Sequence, residues 1–199
     1  DMKRLIGAMA LAGVVPFGLL PAAQAADDEG HYAVRGAGTF SCERYRASVE
    51  ADDPTELNQF LSWVQGHITA ANRMREDTYD LFPVLSPTAV GAMLYNVCAN
   101  HPDSRLEAAL VSLGEFMAPG RVRAESDIAQ VSTGESTVAI RRATLERVQQ
   151  ALIDAGHYQG EPQALFDEPM QQALRAFQQA RGLTPSGLPD ADTIMALFY

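Results

Sequence analysis

Residues 139–199 contain three short segments in which apolar residues recur at helical spacing. Each segment would present one apolar stripe, and three such stripes suffice to close a small bundle. Gly156 is predicted to end the first helix, because glycine adopts the left-handed conformation without steric cost. Asp167, followed by Pro169, and Asp190 are predicted to cap the next two helices. The apolar positions that would form the core are Leu145, Val148, Leu152, Ile153, Ala173, Leu174, Phe177, Ile194 and Leu197.

The residue order in this region resembles a known family. The stretches VQQALIDAGHY (148–158), MQQALRAFQQARGL (170–183) and SGLPDADTIMAL (186–197) are similar to the three helices of the small peptidoglycan-binding domain that bacterial wall hydrolases and periplasmic proteins carry. The resemblance implies a three-helix fold and peptidoglycan as the partner. By family position it also implies wall contacts at Tyr158, Gln159, Arg175 and Gln178, for which ordinary surface or packing roles are the alternative.

The loop between the first two of these helices departs from the family pattern. The family has Asp-Gly-x-Phe-Gly, whereas this chain has QALFD at positions 163–167, so that only Phe166 matches. The family's glycine makes a turn beside the proposed ligand groove, and Asp167 and Glu168 add negative charge next to a ligand that carries carboxylates. The fold is therefore expected to be kept, with wall affinity retained in one interpretation and weakened or lost in the other.

The opposite end of the chain has the pattern of an export signal. Lys3 and Arg4 precede an apolar run over residues 5–20, which is followed by the small-x-small sequence Ala-Gln-Ala at 23–25. The run is short for a membrane span. We expect residues 1–25 to be a signal peptide, the mature chain to have no transmembrane span, and the protein to be periplasmic.

Cys42 and Cys98 are the two cysteines of the chain. An exported protein meets an oxidising compartment, so a disulfide between them is the default expectation. In the chain-entropy model a loop of this length stabilises the fold by about 4 kcal/mol. The alternative is a free thiol nucleophile, for which His101 is the nearest base to Cys98 in sequence.

Four helices are predicted around these cysteines. They are a short helix near residues 40–49, one that begins at Asp53 with Glu56 in the capping-box position, one from Ser86 to Cys98, and one over residues 104–117. Residues 118–136 contain glycine, proline and polar residues with little periodicity, and the segment 118–138 is predicted to be a linker. The predicted fold is all-α: a disulfide-stapled small helical domain followed by a three-helix peptidoglycan-binding-like bundle.

The first of these regions has a looser resemblance of its own. Ser41-Cys42, WVQGHITAAN (63–72) and YNVCANHP (95–102) are similar to the small helical periplasmic domains of the HdeA/HdeB type, over residues 36–117. The resemblance implies an all-helical domain with one disulfide that joins two helices. HdeA and HdeB themselves are acid-stress chaperones, so the resemblance adds a chaperone function as a hypothesis.

Charge and residue spacing argue against several other functions. A formal net charge of −10 opposes binding to nucleic acid and to anionic membrane surfaces. The four histidines have no short-spaced pair of the kind that binds zinc, and the one lysine, Lys3, lies in the predicted signal peptide. We therefore predict no enzyme activity, no catalytic residue, no metal site and no cofactor. A wall hydrolase that works with two carboxylates alone is the alternative.

Three functional hypotheses follow from these patterns. The first is a non-enzymatic periplasmic protein that associates with peptidoglycan through residues 139–199 and uses residues 36–117 to bind a protein partner or to protect proteins under stress. The second is an acid-stress periplasmic chaperone. The third is a cell-wall hydrolase or accessory factor.

Overall fold

Helices dominate the secondary structure of this chain. A computed structural model describes residues 27–51 and 53–199, so the predicted signal peptide at 1–25 lies outside the described residues. Within those ranges the chain forms two short 3₁₀ helices, one two-stranded sheet and seven α-helices. No helix in the described part is long and apolar enough to cross a membrane. The first four helices are α1 (Cys42–Glu50), α2 (Pro54–Met74), α3 (Pro87–Asn100) and α4 (Leu106–Met117).

Polar side chains fix where these helices begin. The Asp53 carboxylate accepts hydrogen bonds from the first backbone N–H groups of α2, and the Ser86 hydroxyl accepts one from Ala89 at 3.3 Å. Both caps confirm the predicted helix starts. Glu56 does not complete a capping box, because its carboxylate bonds instead to the Ser48 hydroxyl at 2.6 Å and to Arg44. That carboxylate therefore ties α2 to α1.

The predicted disulfide is confirmed. Cys42 at the start of α1 is bonded to Cys98 near the end of α3, and both side chains are fully buried. The residues packed most completely around this link share an apolar character and come from all four helices. They include Tyr45, Phe60, Val64, Leu94, Leu106, Leu110 and Met117.

A β-hairpin occupies part of the segment that was predicted to be a linker. Strand β1 (Ile128–Thr133) pairs antiparallel with β2 (Ser136–Arg141) across a turn at Gly134, whose φ is +57°. The prediction of an all-α fold is therefore wrong here. The physical reason is that alternate residues form an apolar face: Val131 and Ile140 are buried against the helices that follow. A 3₁₀ helix at Ala118–Gly120 continues from α4.

The last part of the chain forms the predicted three-helix bundle, with α5 (Arg142–Asp154), α6 (Glu168–Ala180) and α7 (Ala191–Phe198). Gly156, at φ +75°, follows the end of α5. Asp167 accepts a hydrogen bond from the N–H of Met170 at 3.0 Å, and Asp190 accepts one from Thr193 at 2.9 Å. Gly156 and both caps lie where the sequence predicts them.

Polar contacts join the hairpin and the bundle to the first four helices and to the segments that follow them. The Arg141 guanidinium meets Asp80 at 2.8 Å, and Arg147 donates to the Gly120 carbonyl at 2.6 Å. The Tyr199 hydroxyl donates to the Met117 carbonyl at 2.8 Å, and burial raises the pKa of Tyr199 to about 12, so the hydroxyl keeps its proton. Residues 34–199 form one compact unit, whereas the described residues 27–33 belong to another. The predicted domain boundaries stay predictions.

Candidate functional site

A groove of about 370 Å³ lies between the end of α5 and the start of α6. Its lining combines two aromatic rings with uncharged amide side chains and small residues. The residues are His157, Tyr158, Gln159, Pro169, Gln172, Ala173 and Ala176. Two of the predicted wall contacts, Tyr158 and Gln159, therefore lie together in one concave surface.

The end of α5 places these residues. Gly156 takes a left-handed conformation, which turns the chain so that the N–H groups of His157 and Tyr158 both reach the Leu152 carbonyl, at 2.8 and 3.2 Å. The His157 ring packs edge-on against Phe177 of α6, with ring centroids 5.7 Å apart. Tyr158 is thereby held half-buried at the groove wall, and Gln159 is exposed.

Arg175 lies beside the groove without lining it. Glu168 accepts hydrogen bonds from the Arg175 guanidinium and from the Gln172 amide, each at 3.0 Å, and Gln172 does line the groove. The Arg175 side chain also passes over Gly187, where a β-carbon would come within 2.7 Å of its Nη1. Arg175 is therefore linked to the groove through Glu168, which also bonds to Gln172.

Gln178 lies inside the bundle, whereas a wall contact must lie at the surface. Its side chain is fully buried. Its Nε2 lies 2.9 Å from the Leu188 carbonyl and 2.8 Å from the Thr193 hydroxyl, and its Oε1 accepts a hydrogen bond from Gly187 N–H at 2.8 Å. The predicted wall contact at Gln178 is corrected on this ground, because a side chain without exposed surface cannot touch a polymer. Its amide instead holds the loop that leads into α7.

Gln149 plays the same part for the loop that departs from the family pattern. Its Nε2 donates to the Leu165 carbonyl at 3.1 Å, and its Oε1 accepts a hydrogen bond from Gln163 N–H at 2.9 Å. Between these two contacts Ala164 has φ +50°, a left-handed conformation that favours glycine. Sequence reasoning missed the role of Gln149, although an amide next to Val148 on the apolar side of α5 is a usable signal for a buried polar contact.

The acidic residues near the groove are compensated by local contacts. Asp167 caps α6, where the helix dipole favours a negative charge, and Glu168 pairs with Arg175. No group of three or more His, Cys, Asp or Glu side chains among residues 27–51 and 53–199 is placed to hold a metal ion. The expected absence of a cofactor stays a prediction.

Comparison with known proteins addresses the last third of the chain. A family model described as a peptidoglycan binding domain matches residues 141–197, which span α5, α6 and α7. This match confirms the resemblance of the C-terminal region, whereas the HdeA/HdeB-type resemblance of residues 36–117 gains no support. No match was found among the curated proteins or among the solved structures.

Proposed function

We propose that this chain is a non-enzymatic periplasmic protein that associates with peptidoglycan through residues 141–197. Its disulfide-bonded helical region would bind a protein partner or protect proteins under stress. The observation that supports wall association most strongly is the family match over a bundle that has this groove. The departure at residues 163–167 leaves the backbone turn in place, because Ala164 takes the left-handed conformation and Gln149 fastens both sides of it.

The chemistry of the groove suits an uncharged part of the wall polymer. The Tyr158 ring offers a flat apolar surface, and the amides of Gln159 and Gln172 can each donate and accept hydrogen bonds. Sugar hydroxyls, N-acetyl groups and peptide bonds have matching donors and acceptors. Since Glu168 is paired with Arg175 and Asp167 caps a helix, repulsion of wall carboxylates is reduced.

The proposed lack of catalysis has its own support. A hydrolase that uses two carboxylates needs both beside the scissile bond. Among the described residues, those that line the groove include no aspartate or glutamate. We expect the purified protein to release no soluble muropeptides from sacculi, and clearing zones in a zymogram would contradict this part of the proposal.

Sedimentation with purified sacculi tests wall association. We expect the wild-type protein to pellet with sacculi and the Gln172→Ala variant to bind at least about fivefold more weakly, since an amide in the groove would be lost. Gln179→Ala is the matched control, because Gln179 is an exposed glutamine on the same helix outside the groove. Wild-type protein that stays in the supernatant across pH and salt would reject wall association.

Acid-stress protection is a second candidate function, favoured by two carboxylates among the first four helices. Hydrogen bonds from Ser48 and Arg44 lower the pKa of Glu56, and a hydrogen bond from Arg75 lowers the pKa of Glu115. Protonation of these groups would break contacts between α1 and α2 and between α4 and Arg75, which directly follows α2. An aggregation assay with acid-treated periplasmic extract tests the idea, and equal client aggregation with and without the protein would reject it.

A further inference from the structure

A second and larger cleft, of about 820 Å³, is lined by parts of the chain that are far apart in sequence. One wall is formed by residues 83–87, which include Val84, and by α3 as far as Asn96, which includes Met93. The start of α7 forms another wall, with Ile194 and Met195, and strand β2 contributes residues 137–139. This cleft shares no lining residue with the groove between α5 and α6.

The hairpin presents a free strand edge to this cleft. Thr133 and Ser136 flank a two-residue turn, so they form the first hydrogen-bonded pair of the ladder. Because hydrogen-bonded and non-hydrogen-bonded pairs alternate in an antiparallel ladder, the backbone N–H and C=O groups of Thr137 and Ala139 point away from β1. Both of these residues line the cleft.

The backbone groups at this edge have no partner within the part of the chain that the structure describes. No other strand or loop of residues 27–51 and 53–199 donates to or accepts from the main chain of Thr137 or Ala139. Such an edge is a template for another extended segment, which can add to the sheet through main-chain hydrogen bonds. The cleft beside the edge has apolar walls that alternate side chains of the added strand would contact.

Charge distinguishes between possible occupants of the cleft. Among the described residues, the charged side chains that line it are Asp190 and Asp192. The Asp190 carboxylate caps α7, whereas Asp192 is exposed. Two acidic groups and no basic one favour a cationic ligand and disfavour wall peptides, which carry carboxylates.

We propose that this cleft binds an extended basic segment of a partner protein, which adds to the free edge of β2 as a third strand. The main chain of the segment pairs with Thr137 and Ala139. Its apolar side chains contact the half-buried Met93 and Met195, and a lysine or arginine reaches Asp192. This proposal does not depend on wall binding, because the two sites are separate.

Four synthetic peptides test the pairing and the charge. The probe is a fluorescein-labelled hexapeptide of alternating lysine and valine. The second peptide carries N-methyl groups on the amides along one edge of the extended peptide. The third carries them on the amides along the other edge. We expect one N-methylated peptide to bind at least about tenfold more weakly than the probe, because it has lost the N–H groups that pair with β2, and the other to bind like the probe. A glutamate-for-lysine version should also bind at least about tenfold more weakly.

Protein variants locate the binding to one edge. Ala139→Pro removes an N–H that points into the cleft, and it should abolish probe binding without breaking the ladder to β1. Gln130→Pro is the matched control, because Gln130 is the cross-strand partner of Ala139 and its N–H points to the opposite edge. Asp192→Lys should reverse the preference between the lysine and glutamate peptides, and this variant does not alter the strand.

Amide hydrogen exchange supplies a readout that simple charge attraction would not change. On addition of the probe, exchange should slow at Thr137 and Ala139 and stay unchanged at Gln130. No binding of the probe at about 1 mM would overturn the proposal, as would equal affinity for the probe and for both N-methylated peptides. Displacement of the probe by soluble muropeptides would also overturn it, because the cleft would then be a wall site.

Discussion

The two helical regions of this chain are held together by different means. In the region of α1–α4, a disulfide between Cys42 and Cys98 joins α1 to α3, and a core of apolar side chains packs around it. In the bundle of α5–α7, two fully buried glutamines, Gln149 and Gln178, fix the loops between helices. If the groove binds the wall as proposed, the second arrangement couples folding to binding, because the loop beside the candidate groove depends on the amide of Gln149, which also stabilises the bundle.

The largest expected effect is loss of the disulfide. The double variant Cys42→Ala and Cys98→Ala should lose about 4 kcal/mol of unfolding free energy, since the unfolded chain regains the entropy of an open loop. Urea unfolding measures the change, with dithiothreitol-treated wild-type protein as a second measure. If the comparison holds, hydrogen exchange rises first in α1 and α3. An equal and simultaneous rise in α6 would show that the two regions do not differ in this way.

The next largest effect on stability is expected from the buried amide of Gln178, which supports the bundle of α5–α7. Gln178→Leu keeps most of the side-chain volume but leaves the Gly187 N–H and the Leu188 carbonyl without their buried partner. We expect a loss of about 2–3 kcal/mol, measured by urea unfolding. Gln179→Leu, on the exposed neighbour, should change stability by less than about 0.5 kcal/mol. Similar values for the two variants would mean that the buried amide does not support the fold.

Local chemistry made the helix boundaries predictable from sequence. Asp53, Ser86, Asp167 and Asp190 each precede a helical pattern by the spacing of an N-cap, and each accepts the expected backbone hydrogen bond. The cysteine pair was predictable because the chain has two cysteines. Each capping residue bonds to a backbone N–H two or three positions along the chain, and each cysteine has the other as its sole candidate partner.

The features that sequence reasoning missed depend on contacts between distant residues. The hairpin at 128–141 has β-branched residues on both sides of Gly134-Glu135, which is a usable signal, but its polar composition favoured a linker. Burial of Gln178 follows from Leu188 and Thr193, whose positions the tertiary fold sets. Of the four predicted wall contacts, the structure brings Tyr158 and Gln159 together, while Arg175 lies beside them.

A smaller effect is expected at the altered loop. Ala164→Gly should stabilise the protein by up to about 1 kcal/mol, because relief of about 1–2 kcal/mol of left-handed strain exceeds the roughly 0.5–1 kcal/mol that the freedom of glycine in the unfolded chain costs. Thermal unfolding measures the shift. Ala151→Gly, in the interior of α5, should have the opposite sign and a similar size. Destabilisation by Ala164→Gly would mean that the turn at this position is not strained.

The smallest effect expected is a pH dependence of stability that is confined to the disulfide-bonded region of α1–α4. Hydrogen bonds from Ser48 and Arg44 lower the pKa of Glu56 below its ordinary 4.5. A carboxylate whose pKa is lower in the folded state contributes stability above its unfolded pKa, and this contribution is lost as the pH falls through the folded pKa. The urea midpoint should therefore decrease as the pH falls from about 6 to about 3, and Glu56→Gln should reduce that decrease.

The control for this titration is Glu135→Gln in the exposed hairpin turn, which should leave the pH dependence of the urea midpoint as it is in the wild-type protein. Hydrogen exchange at low pH should increase in α1 and α2 before it increases in α6, since the Glu56 contacts join the first two of these helices. A first loss of protection in α6 would reverse the comparison: the amide-supported bundle, and not the disulfide-bonded region, would then be the acid-sensitive part of the protein.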